Sequence, residues 1–183
     1  RWLRLNLNAY YYYMYDGSEW SQFFNDDSHS FTYNSLTGIK KEYYGGELGL
    51  RMLLSTNFDI VALGTYGDTK YIQNTDVYWM NSNTTKMNHE LCYNKGMREG
   101  GTPLAAASLA FNYRINRWYL NLTGNYIDRI YLSYSPNMRY ESTLMIRYEK
   151  KASEITEGDV PEQSKGNGGF MLNASIGRQF MVA

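Results

Sequence analysis

No apolar run in this 183-residue chain approaches the ~18 residues a membrane-spanning helix requires. Together with a mean hydropathy of −0.55, that excludes a helical membrane protein. A single cysteine, Cys92, leaves no internal disulfide and gives no firm redox compartment. Eighteen basic residues balance eighteen acidic ones, so no charge excess exists to hold nucleic acid or an anionic membrane surface. Histidine is scarce too. His89 and Cys92 stand in H-x-x-C spacing, but zinc needs three or four protein ligands, and the other histidine, His29, belongs to a different polar segment. Asp16, Asp26, Asp27 and Asp76 fit no spaced calcium loop and read as solvated loop carboxylates. Nucleophile-elbow, phosphate-loop and H-E-x-x-H patterns are all absent. Neither histidine lies on an expected strand, where a barrel-rim hydrolase would need one. No enzyme activity, cofactor or metal is expected.

The chain has instead many aromatics, 16% with 19 tyrosines, and a strong period of two. From Trp118, the residues Trp118, Leu120, Leu122, Gly124 and Tyr126 alternate with Tyr119, Asn121, Thr123 and Asn125. Successive side chains leave opposite sides of an extended backbone, so this is a strand signal. Upstream, Ala105, Ala107, Leu109, Phe111 and Tyr113 alternate with Ala106, Ser108, Ala110, Asn112 and Arg114. Ile115-Asn116-Arg117 between them is short enough to demand an antiparallel hairpin. Both strands exceed the usual ~5–6 residues and approach the ~9–11 that cross a bilayer at a tilt. Aromatics stand at the ends of the apolar face, as interfacial girdles do.

The same reading gives strands over about 1–15, 39–54, 57–72, 104–115, 117–133 and 169–182. Short turns at 55–57 and 115–117 alternate with long polar connections at 16–37, 74–102 and 135–168. The expected fold class is all-β: an antiparallel up-and-down meander of about six long strands, part of a large transmembrane barrel. Soluble meanders rarely carry unstructured loops of ~25–30 residues at every second connection. Outer-membrane barrels do, with short periplasmic turns and long extracellular loops.

The segments TGIKKEYYGGELGLRMLLSTNFDIVALGTYGDTKY, EGGTPLAAASLAFNYRINRWYLNLTGNYIDRIYLSYSPNMRY and GGFMLNASIGRQF resemble the barrel of TonB-dependent outer-membrane receptors. The likeness is to the Bacteroidetes-type branch, whose plug follows a carboxypeptidase-regulatory-like domain; GGTP and NYIDRIYLSYSP are its most specific parts. The resemblance implies a barrel of about 22 strands, of which this chain is a piece of the carboxy-terminal half with no plug domain. It further implies nutrient uptake driven through TonB. The implied partners are outer-membrane lipid, the rest of the barrel, the plug, TonB through the amino-terminal region, and a surface-exposed substrate-binding lipoprotein. Nucleic acid is not among them.

Two sets of residues are candidate sites. The loop aromatics Trp20, Phe23, Phe24, Tyr78 and Trp79 could stack on a ligand or bury one another. Glu47, Arg51, Asn112, Arg114, Asn121, Asn125 and Arg129 would line the lumen, where they could simply pair with one another or with the plug. Two other readings remain: a soluble secreted β-sandwich binding glycans through those aromatics, and a passive porin-type barrel. A sandwich must bury its apolar face under a second sheet, whereas a barrel shows it to lipid.

Overall fold

The computed structural model describes residues 2–26 and 29–180. The expected strand ends at 1 and 181–182, and Asp27, lie outside the described residues. Eight strands form one antiparallel sheet: β1 (Leu3–Asn25), β2 (Ser30–Leu53), β3 (Phe58–Tyr71), β4 (Thr75–Asn81), β5 (Asn88–Cys92), β6 (Pro103–Ile115), β7 (Trp118–Ile130) and β8 (Gly169–Arg178). The wall is a meander in the order β1-β2-β3-β6-β7-β8, with each strand beside its neighbour. The register places the β2–β3 and β6–β7 turns at one end, since Phe58 faces Tyr113 and Ile115 faces Trp118. All three long connections leave from the other end. The expected all-β antiparallel meander and the one-sided placement of the short turns are both found.

The long connections differ from the expected loops. Residues 16–25 and 30–37 are strand and not loop, because β1 and β2 run on as a paired ribbon until Asn25 meets Ser30. Register shifts between Met14 and Glu19, with positive φ at Asp16 (55°) and Gly38 (64°), interrupt the ladder without ending it. Such bulges change which residues share a face, so period-two counting through them fails. Within 74–102, β4 continues β3 along β2 and then pairs with β5. The third connection holds the helix α1 (Glu141–Tyr148) and single 3₁₀ turns at Pro136–Arg139, Ala152–Glu154 and Glu157–Asp159.

These connections contain the protein's core. Leu36, Ile39, Tyr71, Val77, Cys92 and Tyr140 are buried together, with Met14, Trp79, Met97 and Tyr134 packed around them. Each full burial of a side chain such as Ile39 or Val77 contributes about 1.5–3 kcal/mol. Burial pushes the Cys92 thiol up to about 12, despite the opposing charge of Arg139, so it is an inert packing residue. By contrast, among the described residues the six-stranded wall below has no buried apolar cluster of its own.

Candidate functional site

The cross-strand register assembles one apolar face from all six wall strands. Leu3, Met52, Ile60, Phe111, Leu122 and Ala174 form one row, and Leu5, Leu50, Ala62, Leu109, Gly124 and Leu172 the next. A third row holds Leu7, Leu48, Gly64, Ala107, Tyr126 and Phe170. Many of these side chains are bare, Leu7 75% exposed, Phe170 69% and Leu172 61%, and the others named are partly exposed. A soluble monomer rarely shows a contiguous apolar patch beyond a few hundred Å². Aromatics mark both ends, with Trp118 and Tyr113 near the turns and Tyr126, Tyr66, Tyr44 and Tyr11 toward the long connections. From Trp118 to Tyr126 is about 27 Å of strand at ~3.4 Å per residue. Tilted by ~40°, that spans about 21 Å, close to the ~25 Å apolar band of an outer-membrane barrel.

The opposite face carries the expected lumen residues and links several of them. Arg51 Nε lies 3.3 Å from Asp59 Oδ2. Asn112 donates to the same oxygen at 3.3 Å, Asn121 donates to Asn112 at 2.8 Å, and Thr123 donates to Asn121 at 3.0 Å. Glu47 accepts from Asn8 at 3.3 Å. The register puts Arg114 and Asn125 on this face as well. Arg129 is set apart. Its left-handed backbone (φ 56°) turns the guanidinium over the Tyr66 ring at 4.7 Å and onto Asp68 at 3.1 Å, with the residues of the apolar face. Local alternation gives no sign of such a reversal. Leu63, Ile127 and Met171 interrupt the polar face; Leu63 and Ile127 border a groove of about 470 Å³ over Gly49, Ala106 and Ser108.

Three of the five loop aromatics, Phe23, Phe24 and Trp79, border one cavity, and Trp20 and Tyr78 do not. Trp79 stacks on Tyr140 at 6.0 Å and donates to Glu90 at 2.7 Å, while Phe23 borders the same cavity as Trp79 and Tyr140. That cavity is about 550 Å³. Tyr78, next along the strand, faces the other way and stacks on His89 at 4.5 Å. Trp20 and Phe24 are exposed, Phe24 meeting Phe31 edge-on at 5.3 Å. His89 pairs with Asp76 at 3.0 Å. Among the described residues no group of three or more His, Cys, Asp or Glu could hold a metal ion.

One polar constellation went unforeseen. Lys41, whose side chain is only 3% exposed, pairs with Glu19 and lies 2.9 Å from Glu99. Tyr43 donates to Glu99 and Tyr71 to Glu19, each at 2.6 Å, and the Lys41 ammonium sits 4.4 Å over the Tyr71 ring. Burial alone would raise the Glu99 carboxyl, but the bonds from Tyr43 and Lys41 and the Lys41 charge hold it below its ordinary value. Glu19, Lys41, Tyr71 and Glu99 border a cavity of about 370 Å³ at the junction of wall and loops, with Ser21, Asn34 and Tyr134. The set ties four chain segments together: β1, β2, β3 and the connection that carries Glu99. These residues are 22 and 58 positions apart in sequence, so no spacing motif could have signalled them.

No family model, curated protein or solved structure matches this chain.

Proposed function

We propose that this chain forms part of the wall of an outer-membrane β-barrel, in a TonB-dependent receptor that takes up a nutrient too large or too scarce for porins. The observation that carries this reading is the bare apolar face continuous across six strands, with aromatics at both ends. The described residues form one sheet, so no second sheet among them covers that face as in a β-sandwich. The two outer strands, β1 and β8, each keep an unpaired edge in this sheet, which the rest of a barrel would occupy. The exposed Leu63 and Met171 on the opposite face suit contact with a plug better than an open aqueous pore, favouring the receptor over a passive porin. The energised step, and the contacts with TonB and with a surface lipoprotein, rest on the sequence resemblance. In this reading the chain supplies wall and extracellular loops and performs no catalysis.

The test is genetic and biochemical. The full-length protein should fractionate with the outer membrane and resist alkaline extraction. Its deletion and deletion of TonB should abolish growth on the same limiting nutrient. A protein recovered in the soluble fraction would end the barrel reading. Growth that needs the protein but not TonB would make it a passive pore.

A further inference from the structure

Above the girdle, the lipid-side face of the wall changes from apolar to charged within a few residues. Tyr66 is followed on the same face of β3 by Asp68 and Lys70, opposite Tyr44 and Glu42 of β2. Arg98 grips Asp68 in a two-pronged pair, Nε to Oδ1 at 2.6 Å and Nη2 to Oδ2 at 2.9 Å. Arg129 reaches the same carboxylate from β7 and also donates to the Gly67 carbonyl at 2.5 Å. Two guanidinium groups therefore share one carboxylate. Their planes are fixed by rings, Arg98 over Tyr131 and Arg129 over Tyr66, both at 4.7 Å. Lys165 approaches Tyr131 at 5.5 Å, and Lys70 pairs with Glu42 at 2.9 Å. Asp128, which accepts from Tyr126, is the remaining acid on this face. Four cations thus meet three carboxylates at the height where lipid headgroups begin.

We infer that this patch binds the phosphate of an anionic lipid in the outer leaflet. The inference rests on the membrane reading above. A guanidinium held in place suits phosphate better than a free lysine does, because its planar fork matches two phosphate oxygens and its orienting entropy is already spent. Arg98 and Arg129 keep N–H groups beyond those given to Asp68 and Gly67, and both side chains remain partly open, 27% and 21% exposed. The left-handed backbone at Arg129 has its explanation here: it swings a cation off the lumen face and onto the lipid side. Basic clusters at the hydrocarbon boundary bind phosphorylated headgroups in this way.

The test uses the full-length protein in dodecylmaltoside micelles doped with phosphatidic acid or, separately, with phosphatidylcholine. Native mass spectrometry counts the lipids retained. Wild type should hold phosphatidic acid in preference to phosphatidylcholine, and inorganic phosphate should not displace it. The double variant Arg98→Gln/Arg129→Gln should bind at least tenfold more weakly, since each charge-assisted pair is worth about a factor of ten. Asp68→Asn frees both guanidinium groups, so it should bind as well as wild type or better. Heat-modifiability run beside each variant separates the two claims. Failure of the wild-type protein to behave as a folded barrel overturns the membrane reading and this inference with it. Folded barrels that lose phosphatidic acid equally in Asp68→Asn and in the arginine variant, that retain both lipids alike, or that yield the site to free phosphate overturn the inference alone.

Discussion

Leu122 and Thr123 are neighbours in β7, yet they face different surroundings, and an arginine at each should have very different consequences. Leu122 lies in the row Leu3–Met52–Ile60–Phe111–Leu122–Ala174, four residues from Trp118 and four from Tyr126. At ~3.4 Å per residue that is about 14 Å of strand from either girdle. With a ~40° tilt the depth is about 10 Å, beyond comfortable snorkelling reach. A lipid-facing arginine at mid-depth costs about 2–4 kcal/mol. That corresponds to about 30- to 700-fold in the folding equilibrium at 1.4 kcal/mol per decade. Thr123 lies on the opposite, polar face, and its replacement forfeits one hydrogen bond, to Asn121 at 3.0 Å, worth about 1 kcal/mol. Leu122→Arg should therefore impair assembly of the full-length protein far more than Thr123→Arg. Leu120→Arg, nearer the rim, should fall between them, because the penalty declines toward the interface. Heat-modifiability of outer-membrane fractions reports the folded share, and urea titration in detergent gives the energies. Equal assembly of both variants, or greater damage from Thr123→Arg, would refute the assignment of the apolar face to lipid.

Two further predictions concern packing and charge. A β-carbon at Gly45 would meet the Tyr66 carbonyl oxygen at 2.8 Å and the Tyr10 hydroxyl at 2.6 Å, whereas one at Gly64 would meet nothing within 4 Å. Gly45→Ala should cost about 1–3 kcal/mol in urea titration and Gly64→Ala should be near neutral; the reverse order would refute the register. In the third connection, hydrogen bonds from Lys150 and Thr156 and the Lys150 charge hold the Asp159 carboxyl down at about 2. A lowered carboxyl pKa stabilises the fold above the ordinary value near 4, and that contribution is lost as the pH falls toward 2. Limited proteolysis should cut this connection faster across that window, and Asp159→Asn should flatten the profile. An unchanged profile in the variant would show that other groups carry it.

The period of two in Trp118–Tyr126 and Ala105–Tyr113 was enough to give strand identity, the hairpin and the face each side chain takes. A strand with one uniform environment on each side must write that environment into every second residue. The alternation of short turns with long connections likewise fixed which end each connection leaves from. Six wall strands and their nearest-neighbour order were legible for this reason, as was the polar face shared by Arg51, Asn112 and Asn121. Beyond the wall that logic stops. The ribbon of residues 15–25 and 30–37 buries Ser30, Thr32 and Asn34, so its inward face is polar and looks like loop. Thr32 shares a cavity with Asn137, Tyr140 and Ser142, which arrive more than a hundred residues later. Left-handed turns at Asp16, Gly38 and Arg129 reverse the facing of the residues around them, and no local pattern announces them. Trp79 is committed to Tyr140, and Lys41 to Glu19 and Glu99, only because the register brings distant segments together. Contacts between residues far apart in the chain have no period to read. Tertiary structure alone decided which loop aromatics stay exposed and which charges gather at the rim.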